Sequence, residues 1–203
     1  MHVWQQLGDN VDIILDGGAC KVGVESTVLD LTKAVPQILR HGGTPKTQIE
    51  ALIGEVLASS DHSSLQETYH ASGKNNPQQH ITAPGQTKSH YAPRTKLFLF
   101  AEDKFLDMPC KKSFVYLFFD EASRKSWVNN KASVCGKDGC NIEDRTYALC
   151  KEGCTTEAAA VLFETLHKID ALSFKAIYVQ AAPCGGLGDA INDRLKRASY
   201  GHL

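Results

Sequence analysis

The chain has 203 residues, 42% of them hydrophobic and 22% charged, enough for one large or two small soluble domains. Its formal net charge of −1 excludes a global positive field of the kind that draws in nucleic acid, and no direct nucleic-acid binding is evident. No run approaches the ~18 apolar residues of a membrane-spanning helix, and the start, Met1-His2-Val3-Trp4-Gln5-Gln6, is not a secretory signal, so a cytoplasmic protein without membrane contact is expected.

In chain order, His2 to Leu7 reads as the tail of a helix, with Val3 and Leu7 four apart on one face. A domain rarely opens on half a helix, so the sequence is expected to begin inside one. The run Val11, Ile13, Ile14, Leu15 suits a buried strand. Gly17-Gly18 permits a tight turn, and Val22, Val24, Val28 and Leu29 restart strand character. Glu25, Ser26 and Thr27 interrupt that apolar strand; their hydroxyls either face the surface or point into a ligand cleft. A second short segment, Pro36 to Gly43, puts a guanidinium at the end of a strand, Arg40, beside the Gly42-Gly43 turn. Two hydroxyls and an arginine on adjacent strands can serve a carboxylate or a phosphate. Each also has a plain structural use, as a hydroxyl bonded to nearby backbone or an arginine paired at a strand end.

Thr44-Pro45 signals a helix start, with Thr44 as cap and Pro45 in the first turn. Ile49, Leu52, Ile53 and Val56 form its apolar stripe, expected to cover the preceding strands. From Leu57 to Thr82 the composition turns to Ser, Asn, Gln and Gly, that of a linker. Ala83-Pro84-Gly85 and His90-Tyr91-Ala92-Pro93 follow, where prolines stiffen the chain and a ring becomes available to cover a flat ligand. Lys96 to Phe100 and the more apolar Ser113 to Phe119 read as strands, the second covered on both faces. Asp120 to Trp127 reads as a short helix, and Val134, Tyr147 and Leu149 mark possible short strands. A helix opens at Thr155 with the stripe Ala158, Val161, Leu162, Thr165, Leu166 and Ile169. Phe174 to Val179 is a strand, and Gly188 to Ser199 a charged helix. Strands alternating with helices predict an α/β layer structure with a mainly parallel sheet. Gly186-x-Gly188 after a strand has part of a dinucleotide fingerprint, but Ile191 stands at its third glycine position; a tight strand-to-helix turn is the preferred reading.

Seven cysteines are present, Cys20, Cys110, Cys135, Cys140, Cys150, Cys154 and Cys184. The odd count without a signal peptide predicts reduced thiols rather than a disulfide framework. Cys135-x4-Cys140 and Cys150-x3-Cys154 invite a zinc reading but lack the paired C-x2-C spacing, so no metal site is assigned.

Three segments carry a family resemblance. LDGG-x-C-x-x-GVESTV-x-D, followed by ILR-x-GG, resembles the last part of the YrdC-like domain of the Sua5 family. Pro84-Gly85-x4-His90-Tyr91-Ala92-Pro93 resembles its linker motif, although Gln86-Thr87-Lys88-Ser89 departs from the usual residues between. Leu162-Phe163-x2-Leu166-x3-Asp170 and Gly186-Leu187-Gly188-x-Ala190-Ile191-x-Asp193-Arg194-Leu195-x-Arg197-Ala198 are similar to the end of its Sua5 domain. The resemblance implies an incomplete YrdC-like α/β remnant over residues 1–56, a linker over 57–94 and a small Rossmann-like Sua5 domain over 95–203. It implies an ATP-dependent nucleotidyltransfer in which L-threonine, bicarbonate and ATP give threonylcarbamoyl-AMP and pyrophosphate, with Mg2+ accompanying the ATP. The product serves the threonylcarbamoyladenosine modification of tRNA, which implies possible contact with the transfer machinery. Carried over by position, Ser26 and Thr27 fall on the threonine side, and Arg40, His90 and Tyr91 on the ATP side. The family's Lys-x-Arg phosphate cluster belongs to an earlier part of the domain and has no counterpart here, so one wall of a pocket is expected and residues 1–56 should be the less stable part. The alternative from another class is a non-catalytic binding or regulatory module built on the Sua5 domain.

Overall fold

The computed structural model describes residues 4, 7–18, 20–58, 91–135 and 141–199, with the side chains of 133–135 left out. Two sheets organise them. The first has three short strands, β1 (Val28–Asp30), β2 (Gln37–Arg40) and β3 (Leu57–Ala58). β1 runs antiparallel to β2, pairing Val28 with Arg40 and Asp30 with Gln37 across an irregularity between Val28 and Leu29. β3 joins the other side of β2 in parallel. Helix α1 (Lys46–Ile53) lies between β2 and β3 and begins from Pro45, one residue later than the Thr44 cap the sequence predicts. It does not cover the strands as expected: none of its residues is buried, and Leu52 is 86% exposed.

The second sheet is larger and wholly parallel. It comprises β4 (Lys96–Phe100), β5 (Phe114–Asp120), β6 (Thr146–Cys150) and β7 (Ala176–Gln180), in the order β4-β7-β5-β6. Parallel strands need crossovers, and helices α2 (Glu121–Cys135) and α3 (Thr155–Asp170) supply those from β5 to β6 and from β6 to β7. Helix α4 (Gly188–Ser199) follows β7. The α/β class with a mainly parallel sheet is therefore as the sequence predicts. β5 is covered on both faces because its side chains alternate. Val115, Leu117 and Phe119 join the core with Leu162, Leu166 and Ile169 of α3 and Ile191, Leu195 and Ala198 of α4. Tyr116 and Phe118 pack with Met108 and Trp127 on the other face.

Three local expectations change. Residues 11–18 form no strand; Ile13 is 78% and Leu15 90% exposed, because an apolar run becomes a strand only where a neighbour pairs with it, and no described strand does. Helix α2 runs on to Cys135, past the short helix expected at Asp120–Trp127. Cys110 is disulfide-bonded, against the expectation of reduced thiols, whereas Cys20, Cys150, Cys154 and Cys184 are free.

The glycine loop before α4 is the tight turn the sequence favours. Gly185 and Gly186 adopt φ of 92° and 57°, which suits glycine. A Cβ on Gly188 would collide with the Pro183 carbonyl. Asn192 closes the turn from inside, accepting from Ala182 N–H and donating to Ala182 C=O, each at 2.9 Å. The Asp189 carboxylate accepts from Gly185 N–H at 2.8 Å, placing negative charge where a dinucleotide phosphate would have to sit.

Candidate functional site

The candidate site begins with the backbone around β1 and β2. Gly42 lies so close to residues 25–27 that a Cβ there would run into the backbone of Glu25, Ser26 and Thr27. That approach lets Gly43 N–H donate to Glu25 C=O at 2.8 Å. Arg40 reaches back across the same gap, donating from Nε and Nη2 to the Ser26 carbonyl at 3.2 and 3.0 Å, with Nη2 3.5 Å from Ser26 Oγ. The predicted hydroxyl and guanidinium are thus brought together, on an exposed stretch.

The two hydroxyls differ. Thr27 Oγ1 donates to the Thr44 carbonyl at 2.6 Å and accepts from Thr44 N–H at 3.2 Å, so much of its capacity is spent holding the start of α1. Ser26 is the exposed member of the pair.

Tyr91 arrives from the far side of the chain. Its backbone has φ of 72°, a left-handed conformation that costs a non-glycine residue ~1–2 kcal/mol. Tertiary contacts hold it there. The ring lies 5.3 Å from that of Phe163 on α3, and the Arg194 guanidinium sits 5.6 Å from its centre. The hydroxyl donates to Glu25 Oε1. Just beyond, Asp170 at the end of α3 accepts from Arg94 N–H at 3.1 Å and Thr95 N–H at 2.9 Å. His90 lies outside the described residues.

Glu25 joins these parts. Its Oε2 accepts from Arg194 Nη2 at 2.8 Å and Nε at 3.2 Å. Burial pushes its carboxyl up, but the hydrogen bonds from Tyr91 and Arg194 outweigh that and bring it down to about 2. Burial and the same carboxylate push Tyr91 up to about 12. Glu25 therefore stays ionised near neutral pH and Tyr91 stays protonated.

Glu25, Phe163 and Arg194 join the site without being predicted from sequence. One signal for Arg194 was available. It shares the buried face of α4 with Ala190, Ile191, Leu195 and Ala198, and a charge on the apolar face of a helix calls for a partner. Which partner it has depends on a contact 169 residues away.

Among the described residues no group of three or more His, Cys, Asp or Glu side chains is placed to hold a metal, and no helix is long and apolar enough to cross a membrane.

Comparison with known proteins adds the following. The family model for the C-terminal domain of threonylcarbamoyl-AMP synthase matches residues 45–199. A second model, which covers Sua5, YciO and YrdC proteins and is described as telomere recombination, matches residues 1–42. Threonylcarbamoyl-AMP synthase of Pyrococcus abyssi is 29% identical over 199 residues, covering 98% of this chain and 52% of the relative. That of Bacillus subtilis is 28% identical over 205 residues, covering 100% and 53%. The chain thus spans about half the length of the curated relatives it matches. The crystal structure of P. abyssi Sua5 complexed with L-threonine is similar with a TM-score of 0.65 at 26% identity, over 98% of this chain and 52% of that one. A structure of the same protein with a His and the following Tyr both replaced by Ala gives 0.62 at 25% identity.

Proposed function

The chain belongs to the threonylcarbamoyl-AMP synthase family, and from that premise we propose that it acts in the synthesis of threonylcarbamoyl-AMP by contributing one wall of the substrate pocket. The substrates are L-threonine, bicarbonate and ATP, the products threonylcarbamoyl-AMP and pyrophosphate, and the product's use is the threonylcarbamoyladenosine modification of tRNA. In this reading residues 1–56 are the end of the catalytic domain, 57–94 a linker and 95–203 the Sua5 domain.

The observation that carries the proposal is the meeting of Ser26 with Arg40 beside Glu25, to which Tyr91 is fastened. Threonine's amine captures bicarbonate as a carbamate. A carbamate oxygen then attacks the α-phosphorus of ATP and pyrophosphate leaves. Three negatively charged groups must be brought together, so the protein's work is positioning and charge neutralisation. Ser26, with Thr27 behind it, takes the threonine side. Arg40 takes the ATP side, where a guanidinium offers a fork of donors to phosphate oxygens. Magnesium enters with the triphosphate as part of the substrate, and no cluster of this chain is assigned to it.

His90 and Tyr91 complete the nucleotide side. The neighbouring P. abyssi protein has been solved with a consecutive His and Tyr replaced, and His90-Tyr91 is the one His-Tyr dipeptide in this sequence. Because the Tyr91 ring already lies against Phe163 and Arg194, we assign it to anchoring this segment over the site rather than to stacking on a base.

Calorimetry with L-threonine and with ATP tests the chain's own share. Ser26→Ala should weaken L-threonine binding and Arg40→Ala ATP binding, each ~10-fold, the loss expected for a charge-assisted or well-formed hydrogen bond. Pyrophosphate release that requires L-threonine and bicarbonate together tests the reaction. Binding of neither L-threonine nor ATP by the unaltered chain would refute the proposal.

A further inference from the structure

Arg194 is only 1% exposed, and all three nitrogens of its guanidinium donate hydrogen bonds. Nε and Nη2 go to Glu25 Oε2. Nη1 goes to the His41 carbonyl and to Asp193 Oδ2, the latter at 3.0 Å. Burying a guanidinium is costly unless its partners are geometrically well placed, and Arg194 is the one charged residue among the buried residues of that helix. The choice of partners is informative. Glu25 immediately precedes Ser26-Thr27, and His41 immediately follows Arg40.

We propose that Arg194 is a positioning residue for the pocket: one buried guanidinium on the last helix ties together the two segments that carry Ser26, Thr27 and Arg40, so the Sua5 domain sets the geometry of that wall. The inference takes the pocket's role from the function proposed above, but not its geometry. The segments also touch through the β1–β2 pairing, Gly43 N–H on Glu25 C=O, the Thr27 hydroxyl on Thr44 and Arg40 on Ser26; Arg194 is the tie that reaches both of them from the last helix. Gly23 supports the docking, since a Cβ there would strike the backbone of Ala159 and Ala160 on α3, and Val24 packs on the large core. Arg194 also faces the Tyr91 ring, so the same group reaches all three parts of the site. Lysine cannot reproduce this, because a single ammonium has no fork with which to span a carboxylate and a carbonyl on different segments.

The test uses the full 203-residue chain, unaltered and as Arg194→Lys, Glu25→Gln and, as a control, Arg124→Ala, whose guanidinium pairs with Glu121 on α2 away from the site. Backbone amide NMR reports the positions of residues 25–27 and 40–43, and an L-threonine titration reports binding. R194K and E25Q should move those amides and weaken L-threonine binding ~10- to 100-fold, the scale set by misplacing a binding group, while R124A does neither. A pH titration separates positioning from mere stability. The groups facing Glu25 are Tyr91 and Arg194, with Asp193 and Arg40 nearby. In R194K the amides of residues 25–27 should follow a carboxyl that titrates above the value of about 2 in the unaltered chain, while the Tyr91 hydrogen bond still holds it down. If R194K does not fold, E25Q decides, since it leaves Arg194 in place and removes only the charged acceptor. Unmoved amides in the folded variants, or a loss of binding equal to that of R124A, would overturn the inference. If the unaltered chain binds no L-threonine, the proposed function fails while the amide shifts still judge the role of Arg194.

Discussion

Glu25 gives the molecule a pH dependence whose sign follows from its partners. Its folded pKa of about 2 lies below the ordinary 4.5, so the stability it contributes is present above the ordinary value and is lost as pH falls from there through about 2. Tyr91 is raised from 10 to about 12, so its contribution is present below the ordinary value and lost as pH climbs through the raised one. Thermal unfolding followed across acid pH should therefore fall more steeply for the unaltered chain than for Glu25→Gln. Across alkaline pH it should fall more steeply than for Tyr91→Phe. Equal slopes at both ends would mean that the Tyr91-to-Glu25 hydrogen bond contributes nothing to folding. The same two residues mark the limit of local reading. Ser26 and Arg40 were picked out as polar groups interrupting or ending apolar strands, a signal within a few residues. Glu25 has no separate role in that reading because nothing near it in sequence reveals that an arginine 169 positions on donates to its carboxylate.

At the scale of elements, the β1–β2 pair depends on one close approach. Gly42→Ala would place a Cβ against the backbone of residues 25–27, where no side chain can rotate away. The variant should lose ~1–3 kcal/mol, the usual cost of forcing atoms into a packed site, and with it the spacing between Ser26 and Arg40. The four-stranded sheet should keep its own unfolding transition. Calorimetric unfolding together with an L-threonine titration checks both halves of the statement; intact binding in Gly42→Ala would show that the approach is dispensable. The parallel sheet was the more legible element. β4 and α4 stand at the residues the sequence predicts; α4 buries a regular apolar face, with Ala190, Ile191, Leu195 and Ala198 on it. The expected strand at Val11–Leu15 is absent for the opposite reason: its apolar residues meet no described partner.

For the molecule as a whole, burial is divided unequally. The core runs through the parallel sheet, α3 and α4, whereas Ile13, Leu15, Leu31 and Leu52 are more than half exposed. Among the described residues, amides of β5 and β7 should exchange slowest and those of residues 7–18 and 20–22 fastest, since opening free energy follows local burial and pairing. Limited proteolysis should cut within residues 7–22 before it cuts within 95–199. Equal protection of both regions would contradict this picture. The smaller part is joined to the larger by Arg194 on Glu25 and the His41 carbonyl and by Gly23 and Val24 packed on α3 and the core.

Periodicity, glycine turns and three motifs were sufficient to read from the chain its α/β class, its parallel sheet and the residues that meet at β1 and β2. Those features are local, set by which side chains alternate and where the backbone must turn. The bracing of the site was decided only by folding. The last helix brings a buried guanidinium to the front of the chain, and a charge removed from water must find its counterpart in space, whatever the separation in sequence.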